Sequence, residues 1–319
     1  MAADERPGAP AGRPSISVVI PVYNGAATIG RALESVFSQT YPAHETIVVD
    51  DGSSDDTGVI VSGYGGSVRY FRQDNSGPST ARNRGVEMAS GDWIAFLDAD
   101  DWYYPDRLRL HAELIETQPD LDFVVGNFDY RGPDGTFLRH SMDATELGHR
   151  LVARFGESGA GVIEGAEIGA YIAQQFSDTR TLTLPRETFR ALGGFPAGLR
   201  ICEDVIFLLR LCARGRRAGV TCTPTAVYLV HDSGLIRSDR YRAQTETVRA
   251  LLSVGAEMKG APPYVRSAWR GLVKRAYDDL GWYLAKSGRR GAAVGSFLRS
   301  FFFRPALADL RRMASAIIG

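Results

Sequence analysis

The chain has 319 residues, 44% hydrophobic and 23% charged, which is ordinary globular composition with room for one large domain or two smaller ones. Its 37 basic and 37 acidic side chains cancel, so no nucleic-acid partner is implied, and no apolar run reaches the ~20 residues of a membrane-spanning helix. Three cysteines, Cys202, Cys212 and Cys222, are an odd number without metal-ligand spacing and read as small buried residues in a reducing compartment. The opening MAADERPGAPAGRP lacks a basic start and an apolar core, so residues 1–14 read as a flexible tail rather than a signal peptide.

The first hundred residues alternate strand and helix. Ile16–Ile20 is a short β-branched run closed by Pro21, with the pattern of a buried parallel strand. Asn24-Gly25 turns the chain, and Ile29, Leu33, Val36 and Phe37 make the apolar stripe of a helix ending near Pro42. Thr46–Val49 is a second strand that runs straight into Asp50-Asp51-Gly52-Ser53-Ser54-Asp55. Val68–Phe71 is a third. Asn75-Ser76-Gly77-Pro78 is a loop, after which Ser79 caps a helix through Met88. Trp93–Leu97 is a fourth strand, and it ends in Asp98-Ala99-Asp100-Asp101. Such alternation predicts a doubly wound parallel sheet, in which ligands bind beyond the carboxyl ends of the strands.

Three carboxylates at one strand end repel unless a cation sits among them. A divalent metal carrying phosphate oxygens would satisfy them, because hard ions take one or two carboxylates plus substrate phosphates. A solvated acidic turn explains the cluster alone equally well. Asp50 and Asp51 could likewise be no more than a turn and helix cap; the metal reading gains from two acidic clusters being predicted on one rim.

Further along, Pro105 and Asp106 open a helix, Phe123–Phe128 is a strand, and Gly132-Pro133-Asp134-Gly135 is a hairpin turn. Residues 140–180 are Gly-rich and ambiguous apart from a helix over Ala166–Gln174. Arg186–Leu192 is a short helix. Glu203-Asp204 precede the apolar stripe Val205, Ile206, Leu208, Leu209 and Leu211. Acids in a first turn complement the helix dipole, and an Asp there could also serve as a general base. Val227–Val230 is a strand followed by His231-Asp232, either a surface pair or a ligand. From Arg240 on the pattern is helical, with 15 Lys+Arg against 5 Asp+Glu, leaving 22 and 32 for residues 1–239. This basic region, with its Phe297–Phe303 aromatic cluster, suits a helical lid packed on the core or contact with an anionic membrane surface.

Five segments in this order carry a resemblance: SVVIPVYNG (Ser17–Gly25), VVDDGSSDDT (Val48–Thr57), NSGPSTARNRG (Asn75–Gly85), GDWIAFLDADD (Gly91–Asp101) and GGFP…CEDVIFLLRL (Gly193–Leu211). Together they resemble the inverting family 2 glycosyltransferases of the bacterial cell-surface polysaccharide type. The resemblance implies a GT-A fold, a Rossmann-like, mostly parallel mixed sheet flanked by helices, here with a helical C-terminal extension. It divides the chain into a catalytic domain over 15–235 and a basic helical region over 236–319.

The resemblance further implies a nucleotide-sugar donor, commonly a UDP-sugar, a divalent Mn or Mg ion, and a glycan or lipid-linked acceptor. By position, Pro21 and Tyr23 would rest against base and ribose, and Asp51, with Asp50 beside it, would accept from the base. Asn75 and Arg82 would line the nucleotide and diphosphate. Asp98 and Asp100 form a DxD motif, with Asp100 the metal ligand and Asp98 orienting sugar or ribose hydroxyls. Asp204 would be the general base with Glu203 as its neighbour, and His231 would approach the diphosphate. The expected location is cytoplasmic, or peripheral at the inner face of the membrane. The alternatives are a nucleotidyltransferase, for which Pro21–Asn24 lacks a basic Gly-rich phosphate loop, and a catalytically inactive sugar-nucleotide or glycan-binding protein.

Overall fold

The computed structural model describes residues 13–199, 201–230, 240–306 and 311–314. His231, and most of the tail expected over 1–14, lie outside the described residues. The chain forms two compact units. One takes in residues 1–167, 174–198 and 215–230; the other takes in 168–173, 199–214 and 231–319.

The first unit is built on β1 (Ile16–Val22), every residue of which is buried. Helices cover both faces of a parallel strand, so it has no polar side to present to water. The strand runs two residues beyond its predicted end at Ile20, because Pro21 pairs in register with Val49. Helix α1 (Ile29–Phe37) buries Ile29, Leu33 and Val36, each contributing roughly 1.5–3 kcal/mol when fully withdrawn from water. Then follow β2 (Glu45–Asp50), α2 (Thr57–Ser62), β3 (Arg69–Arg72), α3 (Pro78–Met88) and β4 (Trp93–Phe96). Ser79 is not the cap of α3. Gly77 holds that place at φ 87° with Pro78 opening the helix, where a missing N–H costs nothing. A Cβ on Gly85 would lie 2.3 Å from Val19 Cγ1, so only glycine lets α3 seat directly on β1.

After β4 come β5 (Trp102–Tyr103), α4 (Arg107–Thr117), β6 (Phe123–Arg131), β7 (Phe137–His140), α5 (Glu146–Phe155), β8 (Ala160–Glu164), α6 (Ala166–Gln174), β9 (Thr183–Pro185) and α7 (Arg186–Ala191). Helix α8 (Glu203–Arg214) precedes β10 (Arg217–Leu229). The sheet order is β3-β2-β1-β4-β9-β6-β10-β5, with β7 on β6 and β8 on β10. The β3-β2-β1-β4 half is parallel, as expected. β9 is antiparallel to both β4 and β6, so the sheet is mixed. The strand predicted over Val227–Val230 is only the end of β10, whose pairing with β6 shifts register around Pro224.

In the second unit α8 is joined by α9 (Arg240–Ser253), α10 (Gly255–Lys259), α11 (Pro263–Lys286) and α12 (Arg290–Phe303). Leu284, Ala293, Phe297 and Met313 form a small core there. Arg210 forks onto Glu257 with two 2.9 Å bonds, and Trp269 Nε1 donates to the Leu251 carbonyl at 2.8 Å. All three cysteines are free; Cys212 and Cys222 are buried, while Cys202 is half-buried. Among the described residues no helix is long and apolar enough to cross a membrane.

Candidate active site

The parallel half of the sheet sets the carboxyl ends of β2, β1 and β4 side by side, so the loops after these strands share one rim. The loops after β1 and β2 are cross-linked through backbone donors. Asn24, at φ 50°, donates its N–H to Ser53 Oγ at 2.9 Å and accepts from the Ser54 N–H at 2.8 Å. The Gly25 N–H donates to Thr57 Oγ1 and the Ala26 N–H to Asp55 Oδ2. Asparagine is among the few residues that tolerate a left-handed backbone, which is why the turn can double back onto the second loop.

Asp50 is fully buried and acts as a strut. It accepts from Tyr70 Oη at 2.5 Å and the Ser53 N–H at 2.7 Å. Burial works against its ionisation, but Tyr70, Ser53 and the Arg72 charge outweigh burial and hold its carboxyl below the ordinary value. Asp51 accepts from Gln73 Nε2 at 2.7 Å, the Ser76 N–H at 2.8 Å and the Gly77 N–H at 2.7 Å. It therefore organises the loop before α3, on which Asn75 stands exposed. Pro21 is buried within β1, whereas Tyr23 is exposed beyond it.

Arg82, on the buried side of α3, reaches the end of β4 and donates from Nη2 to Asp98 Oδ1 at 2.6 Å. Its guanidinium lies 5.4 Å from the Phe195 ring centre. Phe195 is held by Asn83, which donates to its carbonyl at 2.9 Å and accepts from its N–H at 2.8 Å. Gly194, at φ +69°, passes so close that a Cβ would sit 2.6 Å from Asn83 Oδ1. The Gly193–Pro196 segment is thereby fastened to the helix carrying Arg82. Burial raises the Asp98 carboxyl, but the Arg82 and Arg180 charges more than compensate, so its pKa falls below the ordinary value.

Arg180 was not among the residues expected here. It stands in the Thr179–Thr181 turn just before β9. Its Nε donates to Asp101 Oδ2 at 2.7 Å and its Nη1 to Asp178 Oδ2 at 2.5 Å. Its plane lies 4.2 Å from the Tyr228 ring centre and 4.9 Å from that of Phe128. Fully buried Arg107, stacked on Tyr103 at 4.2 Å, donates to the Arg180 and Leu182 carbonyls at 3.2 Å and so fixes the backbone of that turn. Asp101, also buried, accepts from the Leu229 N–H at 3.1 Å. Burial, reinforced by Asp100 and Asp98, pushes its carboxyl up to about 8 against the pull of Arg180. No local pattern marks Arg180: its partners lie 79 residues upstream and two residues behind it.

Arg31 donates to the Asp100 carbonyl at 2.9 Å and stacks 3.9 Å over Trp102, holding the third side of the Asp98–Asp101 turn. Asp98 thus bonds Arg82 and Asp101 bonds Arg180. Asp100 is half-buried at the turn, and its charge is felt unfavourably by Asp101. A divalent cation on Asp100 fits this set: the donor is a hard oxygen, and local negative charge would be relieved. Among the described residues no group of three or more His, Cys, Asp or Glu is arranged to hold a metal.

Glu203 and Asp204 form the first turn of α8 in the second unit. Asp204 Oδ1 accepts the Val205 N–H at 2.7 Å. The first unit therefore brings together Asp50, Asp51, Arg82, Asp98 and Asp100 on one rim, and Glu203 and Asp204 belong to a different compact unit.

The family description "Glycosyl transferase family 2" matches residues 17–182. The succinoglycan biosynthesis protein ExoO of Rhizobium meliloti is 32% identical over 319 residues, covering 96% of this chain and 88% of that protein. An uncharacterized glycosyltransferase of Rickettsia bellii is 35% identical over 130 residues, 40% of this chain but only 19% of its own length. Among solved structures, S. aureus TarS superposes with a TM-score of 0.67 at 18% identity, over 91% of this chain and 49% of TarS. The mannosyltransferase PcManGT from Pyrobaculum calidifontis, in complex with GDP-Man and Mn2+, gives 0.62 at 19% identity, over 98% of this chain and 82% of its own. These two likenesses share the GT-A architecture of the mixed sheet.

Proposed function

The chain belongs to glycosyltransferase family 2, and from that premise we propose that it transfers a sugar, with inversion, from a nucleoside-diphosphate-sugar to a hydroxyl of a glycan or lipid-linked acceptor. The observation that carries this reading is the rim of β1, β2 and β4, where Arg82 and the Asp98–Asp101 turn meet the loop organised by Asp51. A UDP-sugar is the proposed donor, supported by the solved complex of TarS residues 1–349 with UDP. Succinoglycan, in the name of the relative matched over most of its length, supports a polysaccharide as the product.

In this reaction exposed Tyr23 bears on the base and ribose, with Pro21 buried behind it in β1, and Asp51 accepts from the base while keeping the Asn75 loop in place. Arg82 places positive charge near the departing diphosphate, and Asp98, oriented by Arg82, accepts from sugar or ribose hydroxyls. Asp100 would hold Mn2+ or Mg2+; bound there, the ion neutralises the leaving group's charge. Asp204 takes the acceptor hydroxyl's proton. A carboxylate within hydrogen-bond reach of that hydroxyl can receive its proton late in the reaction. Glu203 flanks it. His231 is proposed as a polar neighbour of the diphosphate on its motif position alone.

The test is a hydrolysis and transfer screen over UDP- and GDP-sugars with and without Mn2+. Metal-dependent release of nucleoside diphosphate is expected, with Asp204→Asn keeping donor affinity while losing transfer by 100-fold or more, about the range of general-base catalysis. Full transfer by Asp204→Asn would remove the base assignment. Nucleotidyl exchange without sugar release would favour a nucleotidyltransferase, and donor binding without turnover would favour a binding protein.

A further inference from the structure

At the turn joining α11 to α12, Tyr241, Tyr283, Lys286, Ser287 and Arg289 line a cavity of about 370 Å³. The Arg289 guanidinium lies 5.2 Å from the Tyr241 ring centre, and Lys286 Nζ lies 4.9 Å from that of Trp282. Arg240 Nη1 is 3.5 Å from Tyr283 Oη. Between residues 280 and 308 the sequence has five cations, Lys286, Arg289, Arg290, Arg299 and Arg304, and no carboxylate. Among the described residues none of the five is ion-paired.

The same two helices leave large apolar groups in water. Trp282 is 52% exposed and Phe302 80% exposed, with Leu298 one turn before Phe302 on the same face of α12. Phe297 packs against Gly281 and Leu284 on the opposite side, so the exposed stripe contributes nothing to the small core of this unit. Clustered cations repel, and exposed aromatic area is unfavourable at about 25 cal/mol per Å². Both features become favourable at one kind of surface. Trp and Tyr settle at the headgroup level of a bilayer, and each Lys or Arg near an anionic leaflet contributes about 1 kcal/mol.

We propose that the α11–α12 turn docks on an anionic lipid surface, with a lipid phosphate entering the cavity between Lys286 and Arg289 and the two tyrosines beside it. Trp282, one turn before Lys286, enters the interfacial layer, and Arg290 and Arg299 add long-range attraction. The inference is independent of the transfer reaction.

The full chain is sedimented with phosphatidylcholine vesicles, and with the same vesicles doped with phosphatidylglycerol, at low and high salt. It should sediment with the doped vesicles only, and less at high salt. Lys286→Gln/Arg289→Gln should weaken partitioning about 30-fold, being two cations at about 1 kcal/mol each and 1.4 kcal/mol per tenfold. Trp282→Ala should weaken it at both salt concentrations. Arg150→Gln/Arg190→Gln, with the same net charge, should bind as the parent does, and circular dichroism and the thermal midpoint report whether each variant is folded. Equal sedimentation with both vesicle types, or a folded Lys286/Arg289 variant that binds like the parent, overturns the proposal. So does a thermal shift with free glycerol phosphate in a chain that binds no vesicles, since the cavity would then take a soluble phosphate.

Discussion

Replacing Arg180 with Met removes a guanidinium that bonds both Asp101 and Asp178 while keeping most of the side-chain volume. The Arg180 side chain is 10% exposed and Asp101 only 1%, so the change strands a carboxyl in a low-dielectric interior. Burial holds the Asp101 carboxyl up at about 8, so at pH 7 it is mostly protonated; Asp101 and Asp178 each lose a bond, at about 2–4 kcal/mol together. Asp101→Asn keeps an acceptor for the Leu229 N–H and leaves Arg180 with Asp178 at 2.5 Å, so its loss should be smaller, about 1.5–3 kcal/mol. In the double variant no buried carboxyl is left without its guanidinium at position 101. Its loss should therefore fall short of the sum of the single losses by about 2 kcal/mol, within the range measured for residues sharing one network. Urea unfolding at pH 7, followed by tryptophan fluorescence for the four proteins of the cycle, measures this directly. A coupling energy under about 0.5 kcal/mol, the additivity seen between independent sites, would refute the claim that this pair holds the acidic turn from behind.

Asp100→Ala should abolish the Mn2+-dependent part of the thermal stabilisation given by UDP, worth about 2.7 kcal/mol at a ligand concentration 100 times Kd; an unchanged metal dependence would exclude Asp100 as the ligand. Asn83→Ala deletes both bonds to the Phe195 backbone and should cost about 1–3 kcal/mol, with faster proteolysis near Gly193–Pro196 as the local signature. Burial would raise the Glu45 carboxyl, but the Ser90 N–H and the Ser17, Arg69 and Ser90 side chains draw it down to about 2. Its folded value lies below the ~4.3 of an unfolded chain, so the stability it lends is complete above that pH and is lost as pH falls toward 2. Discounted for solvent screening of its half-exposed partner Arg69, that is about 1–2 kcal/mol. Glu45→Gln should flatten the acid limb of the stability profile, and an unaltered limb would contradict the assignment.

The parallel half of the sheet and its loaded loops were legible because each rests on local signals: β-branched runs for β1, β2 and β4, and turn residues directly after them. The segment carrying Arg180 was not. Its strand, β9, has three residues and exists because β4 and β6 offer it antiparallel partners. Likewise β10 was read only at its last residues, since the preceding Thr223-Pro224 breaks the β-pattern where the register shifts. Asp51 was expected to accept from the base; the sequence did not show that it also takes three donors from the loop before α3, a use that depends on how that loop folds back.

By itself the sequence determined which residue types stand at the carboxyl ends of the first strands, since strand and turn preferences act over a few neighbours. Only the tertiary structure decided which charge meets which. Arg82 reaches Asp98, and Arg180 reaches Asp101, through pairings between distant segments. In a buried setting such pairings set the energy of each ion more strongly than any property of the residue alone.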